Sequence, residues 1–555
     1  MKIVMKLYRK SIPKYFTKFI TSYLSLAGLM FTPLFAQPDW QGGYPEGCTS
    51  VTAGKKATVD GSVITSHTDD SHRTRSWMNI IPAKDHPKGS TVTMYKRVKN
   101  DSVAMPAYAH VPIGEIPQVA HTYSYINTAY PCMNEHQLGI GESTFGGREE
   151  LKSDEGLIDC QRLCQLMLER CTTARQAILL ADELTKKYGW NDYGEALTIA
   201  DKNEVWHFEI VGPGKGKTGA VWVAQRVPDG HVSVNANAST IKEIDLSDKD
   251  HFMASENIHQ VAIQNSWWDK NKEPFRFCYA YAPESRKSVA ARRREWRVFD
   301  LLAPSLDLDA NNENYPFSVK PDTLVSLNDL VDVFKDYYEG TPYDMTRNIT
   351  TTDENGNTMV SPLANPFMPY DHLEIQDIPG GWYSVNDETG KITFLGERTI
   401  ARWYTMYATI IQCRHWLPDP IGGVVWLAQD NVANSVYVPV YCNTIDLPES
   451  YKTPGRKNGY TMESAWWAFN RLGTLAAQRW GDARHDLDRV FVPFQNQLFD
   501  NQVSVEDKAI ELFNEDTPEK AIDFLNGYTN RNAKKAVSKA WELGDFLWTK
   551  YDEKF

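Results

Sequence analysis

The residues with the clearest chemical potential lie early in the chain, where Cys48 opens a polar segment that ends with Asp69 and Asp70. Cys48 directly follows Gly47 and begins a stretch that is predicted to form a β-strand. A thiolate in such a position can attack an amide carbonyl and form an acyl-enzyme, which water then hydrolyses. Two interpretations are open: an ordinary strand cysteine packed in a core, or a nucleophile exposed by removal of everything up to Gly47.

Further motifs follow Cys48 along the chain. The motifs are CTSVTAGKKATVDGSVITSHTDD (48–70), MNEHQLGIGEST (133–144), WHFEI (206–210), VWVAQRVPDG (221–230), VSVNAN (232–237), FMASEN (252–257), EGTPYD (339–344) and WLPDPIGGVVW (416–426). In these motifs the chain resembles the cysteine dipeptidases of the N-terminal-nucleophile hydrolase superfamily, which are relatives of penicillin V acylase and bile salt hydrolase. Each motif is weak alone, and their shared order over most of residues 48–445 carries the resemblance.

The resemblance implies a role for individual residues besides the nucleophile Cys48. Asp70 matches the carboxylate that holds the α-amino group of the mature enzyme, and Asn237 matches the amide that donates to the oxyanion. Thr144 falls where relatives have a further oxyanion donor, and Arg398 is the loosest match, to a late arginine of the family. His67 stands where acylase relatives have an arginine, so the charge beside the thiol is expected either from His67, Arg73 or Arg75 or to be reduced. Each residue also has a plain structural interpretation, such as a capping Asp or a buried Thr.

Cleavage before Cys48 would give the thiol its own base. The pKa of an N-terminal α-amino group is about 7.7–8 in model peptides, so much of it is neutral near neutral pH. It is attached to the Cα of the nucleophile, which removes much of the cost of positioning. Before maturation that nitrogen is an amide and cannot act as a base. The same thiol can attack the carbonyl of Gly47, which has no side chain to obstruct the attack, so we expect self-processing at this bond.

Three functions remain open at this stage. The favoured one is a dipeptidase that binds short peptides with a free N-terminus; Glu142, two residues before Thr144 and therefore on the same strand face, is the predicted ammonium anchor. The second is an acylase that hydrolyses conjugated bile acids or penicillin-like N-acyl amides. The third is an exported, non-enzymatic binding module whose aromatic residues contact glycans.

The elements that must position these residues are strands followed by helices, then strands and helices again. Strands are predicted at 48–53, 62–67, 91–98, 121–129 and 138–144, and helices within 155–188, at 284–302 and at 326–339. Two hairpins are predicted, one joining 197–200 to 205–211 and one joining 220–226 to 231–236. The resemblance implies an α+β fold: a four-layer α/β/β/α N-terminal-nucleophile hydrolase sandwich over residues 48–445, with a C-terminal helical region at 446–555.

The N-terminus predicts export. Six lysine and arginine residues precede an apolar run at 19–31, and small Ala36 precedes a polar stretch, as in a secretory signal peptide. We expect residues 1–36 to be the signal peptide and residues 37–47 a short propeptide, with the protein in the periplasm or outside the cell. An uncleaved N-terminal anchor is the alternative.

Charge and cysteine spacing exclude other classes. The formal net charge of −12 argues against a nucleic-acid partner, and no stable membrane insertion is expected after signal removal. The eight cysteines show neither a disulfide framework nor a zinc pattern. We therefore expect no metal and no cofactor; the expected partners are short peptide substrates, and a homo-oligomer is left open.

Overall fold

The computed structural model describes residues 47–100, 107–367, 383–385, 392–394, 397–515 and 517–553. The predicted signal peptide and residues 37–46 of the predicted propeptide lie outside these ranges. The described residues fall into two units. One is the hairpin Tyr383–Val385 with Ile392–Phe394, and the other holds all the remaining described residues.

The strands are named in chain order. They are β1 (Gly47–Ala53), β2 (Val63–Asp70), β3 (Asn79–Ile81), β4 (Lys84–Asp85), β5 (Thr91–Asn100), β6 (Ala107–Pro117), β7 (His121–Thr122), β8 (Tyr125–Asn127), β9 (Met133–Asn134), β10 (Gly139–Gly146), β11 (Gly194–Ala200), β12 (Val205–Val211), β13 (Val221–Arg226), β14 (Val232–Asn235), β15 (Phe252–Ala254), β16 (Ser318–Val319), β17 (Thr350–Thr352), β18 (Thr358–Val360), β19 (Tyr383–Val385), β20 (Ile392–Phe394), β21 (Thr405–Cys413), β22 (Val424–Gln429) and β23 (Val438–Tyr441).

The helices are named in the same way. They are α1 (Cys160–Arg170), α2 (Ala174–Tyr188), α3 (Ile258–Gln264), α4 (Phe277–Tyr281), α5 (Pro283–Lys287), α6 (Val289–Leu302), α7 (Leu327–Lys335), α8 (Asp419–Gly422), α9 (Glu449–Lys452), α10 (Ala465–Gln478), α11 (Trp480–Glu515) and α12 (Pro518–Lys550).

Two antiparallel sheets dominate the fold. The first has the strand order β16-β14-β1-β2-β21-β22-β23, and the second has the order β15-β13-β12-β11-β10-β9-β8-β3. The α+β class with two antiparallel sheets and long C-terminal helices is therefore confirmed. Within the described residues, no helix is long and apolar enough to cross a membrane.

Small and hydroxylated residues bring the two sheets together. Thr198 of β11 bonds Ser50 of β1 at 2.6 Å and Thr65 of β2 at 2.7 Å through their side-chain oxygens. Gly141 of β10 lies so close to the first sheet that a Cβ there would be 2.5 Å from Thr198 Oγ1 and 2.9 Å from Ser50 Oγ. A glycine is needed at this position because any side chain would force the strands apart.

One predicted hairpin forms and the other does not. Strands β11 and β12 pair directly, with Ala200 opposite Val205, as predicted. Strand β13 pairs with β12 and β15, whereas β14 pairs with β1 and β16 in the other sheet. The prediction of a hairpin between 220–226 and 231–236 was wrong, because the turn after β13 carries the chain from one sheet to the other.

Candidate active site

Cys48 lies at the start of a central strand of the first sheet. Strand β1 pairs with β2 on one side, where Cys48 is opposite Asp69 and Gly47 is opposite Asp70. On the other side it pairs with β14, which places Asn237, two residues after that strand, beside the nucleophile. The start of β1 and the ends of β2 and β14 therefore lie at the same edge of the first sheet.

The thiol of Cys48 is paired with a buried carboxylate. Cys48 Sγ donates to Glu142 Oε2 at 3.1 Å, and His67 Nε2 lies 3.3 Å from the same oxygen. Burial, followed by the negative charge of Glu142, raises the pKa of the Cys48 thiol well above its usual value. In this chain, which still carries Gly47, the thiol is thus protonated and bonded to a proton acceptor.

The pKa values of the two glutamates near the thiol are shifted in opposite directions. Burial favours the neutral form of Glu142, but the hydrogen bond and charge of His67 outweigh burial and lower the pKa of that carboxyl. Burial and the charge of Glu142 raise the pKa of Glu195 well above its usual range. The Thr144 hydroxyl lies between them, 2.9 Å from Glu142 Oε1 and 3.0 Å from Glu195 Oε1. An ionised Glu142 beside a protonated Glu195 follows from this pairing.

Asn237 links the backbone of the nucleophile to the second sheet. Its Oδ1 accepts from the Cys48 amide at 3.0 Å, and its Nδ2 donates to the Thr144 carbonyl at 2.7 Å. The backbone of Asn237 is left-handed, with a φ of 62°, a conformation that Asn tolerates better than most residues. One N–H of its amide is therefore committed to Thr144 here, and the other is left for a further acceptor.

Arg294 of α6 is a site residue that the sequence analysis missed. Its guanidinium donates to the Cys48 carbonyl at 2.7 Å, to Thr49 Oγ1 at 2.9 Å, to the Ala236 carbonyl at 2.9 Å and to Asn237 Oδ1 at 2.8 Å. Burial and then the neighbouring Arg398 lower the pKa of Arg294 to about 9. The run of three arginines at 292–294 is the only signal in the sequence, and such a run usually marks a solvated helix face.

Asp70 and Arg398, predicted separately, form a buried ion pair. Asp70 also accepts from Thr405 at 2.6 Å through Oδ1 and from Thr68 at 3.3 Å through Oδ2. Both carboxylate oxygens are thus held opposite Gly47. Arg73 and Arg75 were the alternatives to His67 as a charge beside the thiol; Arg75 instead bonds Asn79 and two backbone carbonyls.

A cleft of about 430 Å³ opens in front of Cys48. Gly47, Cys48, Asp69 and Thr144 line it near the thiol, whereas Glu142 is fully buried and is not one of its walls. Burial raises the pKa of Asp69 to about 7, and its Oδ2 accepts from Thr74 at 2.7 Å. The remaining charged side chains of the cleft wall are of both signs: Asp70, Asp154, Asp159, Asp192, Lys96, Arg97, Lys99 and Lys152.

Among the described residues, two groups of side chains could hold a metal ion by distance alone. The ligand atoms of Cys48, His67 and Glu142 lie within 4.8 Å of one another, as do those of Glu142, Cys160 and Glu195. Both groups share the one carboxylate of Glu142 and are buried. Each offers three ligands, one fewer than a closed structural zinc site contains.

Comparison with known proteins identifies the family of the chain. The model of peptidase family C69 matches residues 47–491, so its match begins one residue before the candidate nucleophile. The chain therefore belongs to peptidase family C69. Membership of the cysteine dipeptidase family, predicted from the motifs, is confirmed, and the non-enzymatic alternative is set aside.

Curated relatives cover most of the chain. A probable dipeptidase of Latilactobacillus sakei is 26% identical over 84% of this chain and 88% of its own length. Probable dipeptidase B of Lactococcus lactis is 25% identical over 89% of this chain and 94% of its own. Dipeptidase A of Lactobacillus helveticus is 22% identical over 78% of this chain and 81% of its own.

Proposed function

We propose that this protein is an exported cysteine-type dipeptidase that cleaves itself between Gly47 and Cys48 and then uses Cys48 as its nucleophile. The contact that carries the proposal is the 3.1 Å hydrogen bond from Cys48 Sγ to Glu142 Oε2, at the floor of a cleft. A nucleophile, a proton acceptor and an accessible reaction space meet there.

Self-cleavage follows from these contacts as an N-to-S acyl shift. Sγ attacks the carbonyl carbon of Gly47 while the thiol proton passes to Glu142. The C–N bond then breaks, the proton held by Glu142 passes to the Cys48 nitrogen, and a thioester remains between Gly47 and Sγ. Water hydrolyses the thioester, which releases the Gly47 carboxylate and leaves the Cys48 thiol and α-amine free.

Peptide hydrolysis repeats this chemistry on a substrate. The new α-amine of Cys48 is the general base, and Asn237 and Thr144 donate to the oxyanion, whose stabilisation is commonly the largest electrostatic contribution. Asp70 orients the amine, and Arg398 holds Asp70 in place. Arg294 fixes the Cys48 carbonyl and Asn237 at the same time, so it is a positioning residue.

The charges of the cleft favour a dipeptide over an N-acyl amide. A free dipeptide has an ammonium and a carboxylate, and the cleft offers side chains of both signs, whereas an acylase of steroidal or fatty amides would need an apolar wall. Asp69 lines the cleft opposite Cys48 and is the better ammonium partner. The anchoring role predicted for Glu142 stays a prediction, because its buried carboxylate is already bonded to Cys48 and Thr144.

The finer predictions about architecture and location belong to the same proposal. The contacts between Thr198 and the first sheet support a two-sheet sandwich, and we propose helices on both outer faces as the four-layer arrangement. We also propose that residues 1–36 direct export to the periplasm or the exterior.

Intact mass and N-terminal sequencing of purified protein test the processing step. Wild type should begin at Cys48, Cys48→Ala should keep the residues upstream, and Cys278→Ala, which removes another buried thiol, should be processed normally. A Cys48→Ala protein that still begins at position 48 would show cleavage by another protease. Free dipeptides should be cleaved and their N-acetylated forms should not; a preference for glycine- or taurine-conjugated acyl amides would support the acylase.

A further inference from the structure

A second cavity, of about 600 Å³, lies beside the active-site cleft. The two share Thr74 and Tyr108 as wall residues. The cavity walls come from the segment before β3, from β6, from β8 and from α1, with a turn at Arg456 and Lys457 closing one side. Its volume is within the range of small-molecule sites.

The charge of this cavity is opposite to that of the chain as a whole. Five cationic side chains line it, and no carboxylate does among the described residues: Arg73, Arg75, Arg162, Arg456 and Lys457. The chain carries a formal net charge of −12, so this concentration of positive charge is not a general property of its surface. Such an arrangement attracts anions.

Among the described residues, no carboxylate bonds the guanidinium of Arg75. Its guanidinium donates to the Trp77 carbonyl at 2.9 Å, to Asn79 Oδ1 at 2.8 Å and to the Asn127 carbonyl at 2.6 Å, all neutral acceptors. Burial, with a contribution from the charge of Arg162, lowers the pKa of Arg75 to about 10. Arg75 is half-buried. Partial loss of water is costly for a cation that no carboxylate bonds, and a bound anion would lower that cost.

Aromatic contacts hold part of the positive charge in place. The guanidinium of Arg75 lies 5.3 Å from the centre of the Trp77 ring, and the ammonium of Lys457 lies 5.9 Å from the same centre. The charge of Arg162 also interacts with the carboxylate of Asp159. Asp159, however, lies in the wall of the active-site cleft and is 3.6 Å from Arg97. The cations are thus arranged before any ligand binds, which limits the entropy lost on binding.

We propose that this cavity is a binding site for a small anion of the carboxylate or phosphate class. Arginine forks match the planar oxygen pairs of both groups. The anion has two possible sources: the carboxylate end of a peptide in the adjoining cleft, or a free anion that binds independently of the substrate. The site is defined by its own walls and does not depend on the proposed reaction.

Binding of inorganic phosphate and of succinate to the Cys48→Ala protein tests the site without relying on activity. Titration calorimetry at constant ionic strength should give saturable binding that chloride does not reproduce. Arg162→Gln and Lys457→Gln should each weaken it about tenfold, the equivalent of one charge-assisted contact. Lys272→Gln removes an exposed lysine outside the cavity and should leave the affinity unchanged.

A competition experiment distinguishes the two sources. If a dipeptide and phosphate exclude each other on the Cys48→Ala protein, the cavity takes the carboxylate of the substrate. If both bind at once, the site belongs to a free anion. Absence of saturable binding, or equal affinities in the two cavity variants and the Lys272→Gln control, would overturn the proposal and leave the dipeptidase assignment untouched.

Discussion

The side chain of Asn237 occupies the space into which any side chain at position 47 would point. A Cβ placed on Gly47 would be 2.8 Å from Asn237 Cγ and nearer still to Oδ1. In real proteins a Cβ essentially never lies that close to another heavy atom. The same Oδ1 accepts from the Cys48 amide at 3.0 Å, the nitrogen that leaves in the proposed self-cleavage. Asn237 can therefore contact the Cys48 amide because residue 47 has no side chain.

Gly47→Ala should therefore slow processing. The new methyl group must displace Asn237 or the scissile carbonyl, at a cost of about 1–3 kcal/mol for overpacking. If that cost is felt in the transition state, cleavage slows roughly tenfold to hundredfold. Mass spectrometry of a pulse of newly made protein measures the precursor fraction. Gly230→Ala is the matched control, because a Cβ at Gly230 meets no atom within 4 Å; equal processing of both variants would contradict the steric argument.

Two substitutions at Asn237 separate catalysis from backbone strain. Loss of the amide in either Asn237→Ala or Asn237→Gly should lower turnover by about 10²–10³, the usual effect of removing an oxyanion donor. Both variants lose the hydrogen bonds of the amide, and alanine should lower stability by about 1–2 kcal/mol more than glycine, since glycine adopts the left-handed φ of 62° freely. Steady-state kinetics and thermal unfolding measure the two effects. Near-normal turnover in Asn237→Gly would make Asn237 a structural residue.

The part of the site that lies on β1 and β2 could be predicted from the sequence. The strands predicted at 48–53 and 62–67 form as β1 and β2. They pair because they are adjacent in the chain and joined by a turn, and the pairing places Asp70 opposite Gly47. The crossing from β13 to β14 could not be predicted in this way. A Pro-Asp-Gly turn is equally compatible with a hairpin in one sheet and with a connection between two sheets. The sheet that β14 joins depends on its partner strands, which are distant in the chain.

The contacts of Arg294 and Arg398 could not be predicted from the local sequence either. Arg398 was found only through a family motif, and its partner Asp70 lies 328 residues earlier in the chain. Arg294 has no motif, and a run of arginines predicts a solvated surface, yet its guanidinium is buried against Cys48. Neither long-range contact follows from local patterns of residue type.

Arg294→Lys should destabilise the protein and impair processing. A lysine cannot reproduce the guanidinium fork, so some of the oxygens of Cys48, Thr49 and Asn237 lose their donor, at about 1–3 kcal/mol for each buried group left unsatisfied. Thermal unfolding and the precursor fraction measure the outcome. Arg292→Lys is the control, because Arg292 also bonds backbone carbonyls but lies away from the nucleophile; equal losses in both variants would remove the specific role of Arg294.

The pKa of Asp69, raised to about 7, predicts a pH-dependent Michaelis constant. Below pH 7 this carboxyl is protonated and cannot pair with a substrate ammonium, so KM should rise as pH falls from 8 to 6. Asp69→Asn should have a high KM at every pH in that range. A profile that is unchanged in the variant would assign the ammonium to another group.

Linkage gives an independent check on Asp69. Since its folded pKa is raised, its contribution to stability is fully present below its unfolded pKa of about 4 and is lost as pH rises through 7. The stability of Asp69→Asn relative to wild type should therefore increase between pH 5 and pH 8. Denaturant unfolding at the two pH values measures this difference, and a constant difference would mean that the carboxyl titrates normally.

Glu142→Gln distinguishes the two roles considered for this residue. If Glu142 takes the proton of the Cys48 thiol, as its 3.1 Å contact suggests, the variant should accumulate precursor, because glutamine is a poor proton acceptor of nearly the same shape. If Glu142 instead anchors the substrate ammonium, processing should be normal and KM should rise more than turnover falls. Quantifying the precursor first and then measuring kinetics on the processed fraction separates the outcomes. Glu169→Gln, which alters another buried glutamate away from Cys48, is the control. Normal processing with unchanged KM in Glu142→Gln would exclude both roles and would leave the α-amine as the base of peptide hydrolysis alone.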